Sequence, residues 1–233
     1  MLHLLRGMSI CFFLFPWLSG DAKKHRVQIW SQQLVRICGV RVKMNLTNLP
    51  SGAVIVANHI SWLDIFVINS LAPCRFVAKS DIRAWPMLGW LAEQAGTIYI
   101  SRGSKADVKR IYQYLIEQIE AGERVAFFPE GTTASQGQVL PFHANLFEAA
   151  IHAKSPVLPV ALRYVDETGA MNMAVDFIGD MSFATSMVNV LSVDNVVAEL
   201  HVTELIPSGG AHRRELAVTA RKAVAAALQI EID

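Results

Sequence analysis

Residues 53–69 read AVIVANHISWLDIFVIN. Val54, Ile55, Val56 and Ala57 form an apolar, mostly β-branched run with no polar alternation, as in a strand buried on both faces. The run stops at the polar pair Asn58-His59. Residues 62–69 then read as a helix. Such a strand, turn and helix opens a βαβ pattern, and the rest of the chain continues it.

Strand-like stretches are predicted at 75–78, 97–100, 124–128 and 157–163, with further strands at 173–178 and 196–202. Helical stretches fall between them at 87–94 and 144–153. Another helix opens at Ser104, with Asp107 as a weak capping box. It carries Val108, Ile111, Leu115 and Ile119 on one face and ends at Gly122. After Gly209-Gly210 a last helix spans 212–228. This alternation predicts an α/β fold with a largely parallel sheet flanked by helices. No internal repeat or low-complexity tract interrupts it.

The N-terminal segment follows a different pattern. Residues 8–18, MSICFFLFPWL, are almost wholly apolar. A membrane-spanning helix needs about 20 such residues. This run is shorter, follows Arg6 and contains Pro16, so it reads as an interfacial or re-entrant anchor. The alternative is the apolar core of a signal peptide. A basic cluster follows at Lys23, Lys24, His25 and Arg26. Across 26–43, Val27, Trp30, Leu34, Ile37 and Cys38 recur at helical spacing, with Gln28, Gln32, Gln33 and Arg36 mainly opposite. That pattern predicts an amphipathic helix, either docked on the domain core or, with the apolar run and basic cluster just upstream, lying in a membrane interface.

Composition narrows the classes. Hydrophobic residues make up 52% of the 233 residues, which favours membrane contact. The formal net charge of +1 provides no field for a nucleic-acid partner. Three scattered cysteines give neither a disulfide framework nor a metal pair, and read as small apolar fillers in a reducing compartment.

The chemistry centres on His59 and Asp64. On a continuous helix, residues five apart lie about 140° from each other and do not meet. They can meet if His59 sits in the turn, Ser61 near the cap and Asp64 in the first helical turn. Asp64 then accepts from one imidazole nitrogen and leaves the other as a base, the His–Asp half of a hydrolase triad. A substrate that brings its own hydroxyl makes a nucleophilic serine unnecessary. No second and third zinc ligands stand at metal spacing.

Three more segments add to the pair. In GTIYISR (96–102) a strand delivers Arg102 to a sheet end, where a guanidinium can clamp phosphate. In FPEGT (128–132) a tight turn after a buried strand presents backbone N–H groups and Glu130, which reads either as an acceptor for a substrate hydroxyl or as a partner for a basic residue. VLPVALRY (157–164) reads as core strand or as a wall for an acyl chain.

In this order, NHISWLD, GTIYISR, FPEGT and LPVA resemble the four motif blocks of the 1-acyl-glycerol-3-phosphate acyltransferase (lysophosphatidate acyltransferase) family. The likeness runs from about residue 29 to residue 202. It implies an N-terminal membrane anchor with an amphipathic helix at 1–44 and an acyltransferase domain at 45–233. It also implies transfer of a fatty acyl group from acyl-CoA or acyl carrier protein to the free hydroxyl of a lysophospholipid, forming phosphatidic acid. His59 would be the base and Asp64 its orienting partner. Lys79 and Arg102 would lie near the acceptor phosphate, and Glu130, Gly131 and Thr132 would shape the acceptor pocket. No cofactor or metal is implied, because a thioester is already activated. The expected location is the cytoplasmic face of the inner membrane, peripheral or monotopic.

Two departures bear on the headgroup. Thr133 stands where the family's FPEGT block continues with arginine. PFHAN, with His143 and Asn145, replaces a block that often carries lysine. The form EGTT…LPFHANLFEAA is similar to a bacterial branch that includes lyso-ornithine lipid acyltransferases, whose acceptor has no phosphate. A thioesterase and a non-catalytic lipid-binding protein are more distant alternatives.

Overall fold

The structure is a computed structural model that describes residues 2–46, 49, 52–85, 87–100 and 105–232, the side chains of 105–108 excepted. One seven-stranded sheet runs through it in the order β1-β7-β6-β2-β5-β3-β4. The strands are β1 (Val40–Met44), β2 (Val54–Ala57), β3 (Arg75–Lys79), β4 (Ile98–Ile100), β5 (Val125–Phe127), β6 (Val157–Val165) and β7 (Val196–Val202). All neighbours pair in parallel except β6 and β7. The carboxyl ends of β2, β3, β4, β5 and β6 therefore share one edge, the usual ligand side of such a sheet.

The apolar run of β2 is explained by helices on both faces. Ile55 and Ala57 pack into one core with Val35, Leu63, Val67 and Ile68, from α2 (Gly20–Ile37) and α3 (Leu63–Leu71). Val54 and Val56 point the other way, into a core with Leu115, Phe147, Leu216 and Ala220. Those side chains come from α5 (Lys105–Glu120), α6 (Phe147–His152) and α8 (Arg213–Leu228). Two further helices are α4 (Leu88–Gln94) and α7 (Phe183–Leu191).

Several sequence expectations are corrected. The helix expected over 26–43 runs from Gly20 to Ile37, with the Ser19 side chain accepting from Ala22 N. Gly39, at φ +69°, turns the chain, and Val40–Met44 becomes β1, pairing Val40 with Val196. Thus a strand within residues 1–44 belongs to the sheet of residues 45–233. Gln28 and Gln32 are half-buried. Their amides donate to the carbonyls of Ser70 and Leu71 and close the otherwise unpaired end of α3.

Residues 173–178 do not form a strand. Met173–Val175 is a single 3-10 turn, because the Asn172 side chain accepts from Ala174 N and the chain bends inward at Asp176. α7 was not anticipated, although Ser182 caps it through Thr185 N. The cap expected at Ser104 lies outside the described residues.

The apolar N-terminal run is not one straight helix. α1 (Leu2–Ser9) passes into a π turn at Ile10–Leu14 and a 3-10 turn at Phe15–Trp17. Among the described residues, no helix is long and apolar enough to cross a membrane. α1 lies on α2, with His3 stacked on Trp30 at 4.4 Å and Trp30 Nε1 donating to the His3 carbonyl. A Cβ on Gly7 would stand 2.7 Å from Trp30 Nε1, so this contact requires glycine.

Candidate active site

β2 releases the chain at Asn58. The side chain of Asn58 accepts from Leu162 N at 2.8 Å and donates to Leu162 O at 2.9 Å. These bonds extend the β2–β6 ladder past its last backbone pair and fix the turn that follows. His59 and Asp64 meet across that turn, as the spacing allows. His59 Nδ1 lies 2.8 Å from Asp64 Oδ2, and Asp64 is in the first turn of α3. The same oxygen accepts from Ile60 N at 2.7 Å and Ser61 N at 3.0 Å. Asp64 thus caps its own turn, with Ser61 one residue before the helix N-cap position at Trp62. The Ser61 hydroxyl is buried without a partner.

The other carboxylate oxygen, Oδ1, accepts the Tyr164 hydroxyl at 2.7 Å. Asp64 is 0% exposed, so these donors and the N-terminus of α3 replace its hydration. With Asp64 accepting, Nδ1 carries the proton and Nε2 keeps its lone pair. Such an imidazole can take a proton from a hydroxyl brought to Nε2.

Glu130 is buried in the turn after β5. Oε2 accepts the backbone N–H of His59 at 3.2 Å, and Oε1 accepts that of Leu140 at 3.1 Å. Both oxygens thus hold the backbone of the site, and the Arg221 charge also acts on the carboxylate. Burial pushes its carboxyl up to about 7 against the two N–H bonds, and the nearby Asp64 carboxylate adds to the rise. Burial also holds the Tyr164 phenol well above its ordinary range, so it remains a donor. The free thiols of Cys11, Cys38 and Cys74 are raised by burial to about 11, 11 and 12, which leaves them un-ionised at neutral pH.

The FPEGT turn docks on the His59 turn. Ala134 N donates to His59 O at 2.7 Å, and Phe177 N donates to Ile60 O at 3.0 Å. The Thr133 hydroxyl donates to Phe177 O. Gly131, at φ +70°, lies under the exposed ring of His143, whose Cδ2 a Cβ would approach to 3.3 Å. Thr132 is exposed beside it, and Lys79 is exposed at the end of β3. Arg102 lies outside the described residues.

His59 stands in the wall of a cavity of about 240 Å³. Ile10, Cys11 and Phe15 line it from the N-terminal turns, and Val27 and Trp30 from α2. Ile65 and Phe66 of α3 and Trp85, Leu88 and Leu91 around α4 close the other sides. A long, unbranched apolar group suits such walls, with His59 at its reactive end. Among the described residues, no three His, Cys, Asp or Glu side chains are grouped to hold a metal ion.

The acyltransferase family model matches residues 40–163, more than half of the chain. The chain belongs to the acyltransferase family. It is 40% identical to the lyso-ornithine lipid O-acyltransferase of Pseudomonas aeruginosa, over 97% of this chain and 91% of that protein. It is 38% identical to the 1-acyl-sn-glycerol-3-phosphate acyltransferase of Neisseria gonorrhoeae, over 70% of this chain, and 40% identical to that of Neisseria meningitidis, over 66%. These two matches span 63% and 60% of the Neisseria proteins' own length. The crystal structure of the 1-acyl-sn-glycerophosphate (LPA) acyltransferase of Thermotoga maritima has the same fold. Its TM-score is 0.67 at 19% identity, over 100% of this chain and 95% of that one.

No role in the site was read from the sequence for Asn58, Phe128, Gln136 or Tyr164. Buried polar side chains need partners, so the tyrosine closing an apolar strand was the available signal.

Proposed function

We propose that this acyltransferase moves a fatty acyl group from a thioester, acyl-CoA or acyl carrier protein, to the free hydroxyl of 1-acyl-glycerol-3-phosphate. The product is phosphatidic acid. The observation that carries the reading is the His59 Nδ1 to Asp64 Oδ2 contact of 2.8 Å at the wall of an apolar cavity.

The donor's acyl chain occupies the cavity, with its thioester carbonyl at His59. The acceptor hydroxyl gives its proton to His59 Nε2 as its oxygen attacks that carbonyl. The tetrahedral adduct collapses by breaking the C–S bond, and the imidazolium returns the proton to the departing thiolate. Asp64 holds the ring and stabilises the imidazolium. Base catalysis of this kind is worth roughly 10²–10⁴-fold. A thioester leaves no step that calls for a metal or cofactor. Lys79, at the carboxyl edge, and Arg102, two residues after β4, serve the acceptor phosphate. Gly131 and Thr132 border the same approach.

The chain works at a membrane surface, on the cytoplasmic face, through the exposed Phe12, Phe13 and Trp17. Lys23, His25 and Arg26 lie beside them in the chain, while Lys24 is paired with Glu123 at 2.7 Å. An anionic lipid surface suits that arrangement.

Two observations favour a second acceptor, lyso-ornithine lipid. The Pseudomonas relative of that name matches nearly end to end. Thr133, in the place of the family's arginine, turns its hydroxyl onto the Phe177 carbonyl, so no guanidinium stands there for a phosphate.

Detergent-purified chain is incubated with a labelled acyl thioester and either lysolipid, beside His59→Ala. Product from lysophosphatidic acid, lost in His59→Ala, upholds the first reading. Product only from lyso-ornithine lipid keeps the mechanism and moves the headgroup. Label released to water alone identifies a thioesterase, and transfer unaffected by His59→Ala removes the base.

A further inference from the structure

We infer that Tyr164 is a positioning residue for the His59–Asp64 pair, its hydroxyl setting how strongly that pair holds a proton. This rests on the acyl-transfer reading above, in which His59 is the base.

Asp64 divides its work between two oxygens. Oδ2 serves His59 Nδ1 and the N–H groups of Ile60 and Ser61, while Oδ1 is held by the Tyr164 hydroxyl at 2.7 Å. Tyr164 lies on β6, two strand positions from the residue that Asn58 clamps. The Asn58 bonds to both backbone groups of Leu162 set its height against Asp64. Gln136 Oε1 accepts Tyr164 N at 2.6 Å and fixes it from the other side. The ring is 0% exposed, in the same core as Val35, Leu63 and Ile68, so the hydroxyl has no route to water. Packing, cross-strand clamp and loop contact converge on the placement of one phenol O–H.

The physical consequence has a sign. A donor on Oδ1 draws electron density from the carboxylate and weakens it as an acceptor for the imidazolium. Without that donor, Asp64 holds the His59 proton more tightly. Among the described residues, Glu130, from the turn after β5, and the Cys38 thiol, at the end of α2, also act on this cluster. Glu130 lies on the His59 backbone rather than on the ring, and the Cys38 thiol is un-ionised at neutral pH. Tyr164 therefore has the direct bond to the oxygen that faces away from His59.

Tyr164→Phe removes the O–H and keeps the ring that fills the core. On the acid side of the wild-type pH–rate profile its kcat should fall roughly 10-fold with KM unchanged, because a more tightly held proton leaves fewer molecules with a free base. The acid limb of its pH–rate profile should move up by about one unit, the same free energy. In an Asp64→Asn background the change to Phe should add no further loss. NMR titration of the His59 imidazole needs no turnover and should show the same upward displacement. Fluorotyrosine at position 164 is a stronger donor and should move it downward.

A Phe variant that loses only thermal stability, with wild-type kcat and an unmoved His59 titration, overturns the inference. So does a 10-fold loss that persists in the Asp64→Asn background. Failure of the wild-type chain to acylate either lysolipid would instead count against the acyl-transfer reading, while the titration would still decide the role of Tyr164.

Discussion

The imidazole of His59 lies flat on the ring of Phe128, with centroids 3.9 Å apart and planes 6° from parallel. Phe128 in turn stacks on Phe76 at 5.7 Å and 22°. Two neutral rings gain little from so direct an overlap, but an imidazolium gains from a negative ring face beneath it. The stack thus favours the charged form that acyl transfer creates at His59. Replacing Phe128 by Leu should lower kcat roughly 10-fold, since such contacts are worth up to about 2 kcal/mol when desolvated. The acid limb should move to lower pH, because imidazolium loses support. Kinetics equal to wild type across pH would assign the stack to packing alone.

Glu130 makes a different demand. Its two oxygens take two backbone N–H groups, His59 N and Leu140 N. Glutamine offers a single oxygen, so Glu130→Gln sets an amide NH₂ against one N–H. The variant should lose about 1–3 kcal/mol of stability from the orphaned donor at low pH, and activity should fall because the His59 backbone shifts. The pH dependence has a definite sign. The folded carboxyl is raised to about 7 from 4.5, so the folded chain binds the proton more tightly than the unfolded chain. That contribution to stability is complete below 4.5 and is lost as pH rises through about 7. Denaturant midpoints of wild type and Glu130→Gln should therefore converge as pH rises across this window. A constant difference would show that Glu130 does not titrate there.

The strands and helices that carry the site were legible because their pattern is local. β2 is a run buried on both faces, and His59 and Asp64 can touch only if the chain turns between them. β1 was not legible, because Val40–Met44 continues the helical spacing of α2 and only the Gly39 turn and the pairing with β7 make it a strand. Residues 173–178 look β-forming, yet Asp176 is drawn inward by Ser135 Oγ at 2.6 Å and the Gln136 N–H at 3.3 Å. Tyr164 belongs to the site through a strand a hundred residues from Asp64 in the chain, a distance no local spacing expresses.

The N-terminal turns expose more apolar surface than the fold requires. Phe12 and Phe13 are 68% and 67% exposed, and Trp17 is 87% exposed. Burying an aromatic side chain in a bilayer interface contributes about 1.5–3 kcal/mol. Changing all three to Ser should reduce binding to anionic vesicles by at least 100-fold in a sedimentation assay. Activity on a detergent-dispersed acceptor should survive, because none of the three lines the cavity wall at His59. Unchanged vesicle binding would move the membrane contact elsewhere.

Thr133 separates the two acceptors. It lines the cavity with His59 and Phe177, and its hydroxyl donates to the Phe177 carbonyl. A guanidinium there could keep a donor on that carbonyl and still reach a phosphate with its fork of N–H groups. A charge-assisted pair of this kind is worth about 1.5–3 kcal/mol. Thr133→Arg should therefore raise kcat/KM for lysophosphatidic acid relative to lyso-ornithine lipid by 10-fold or more. The preference should weaken at high salt, where exposed ion pairs are screened. An increase equal for both lysolipids would mean that the arginine acts on the shared acyl donor. A ratio that does not move would place the headgroup away from Thr133 and leave Lys79 and His143 as the next side chains to change.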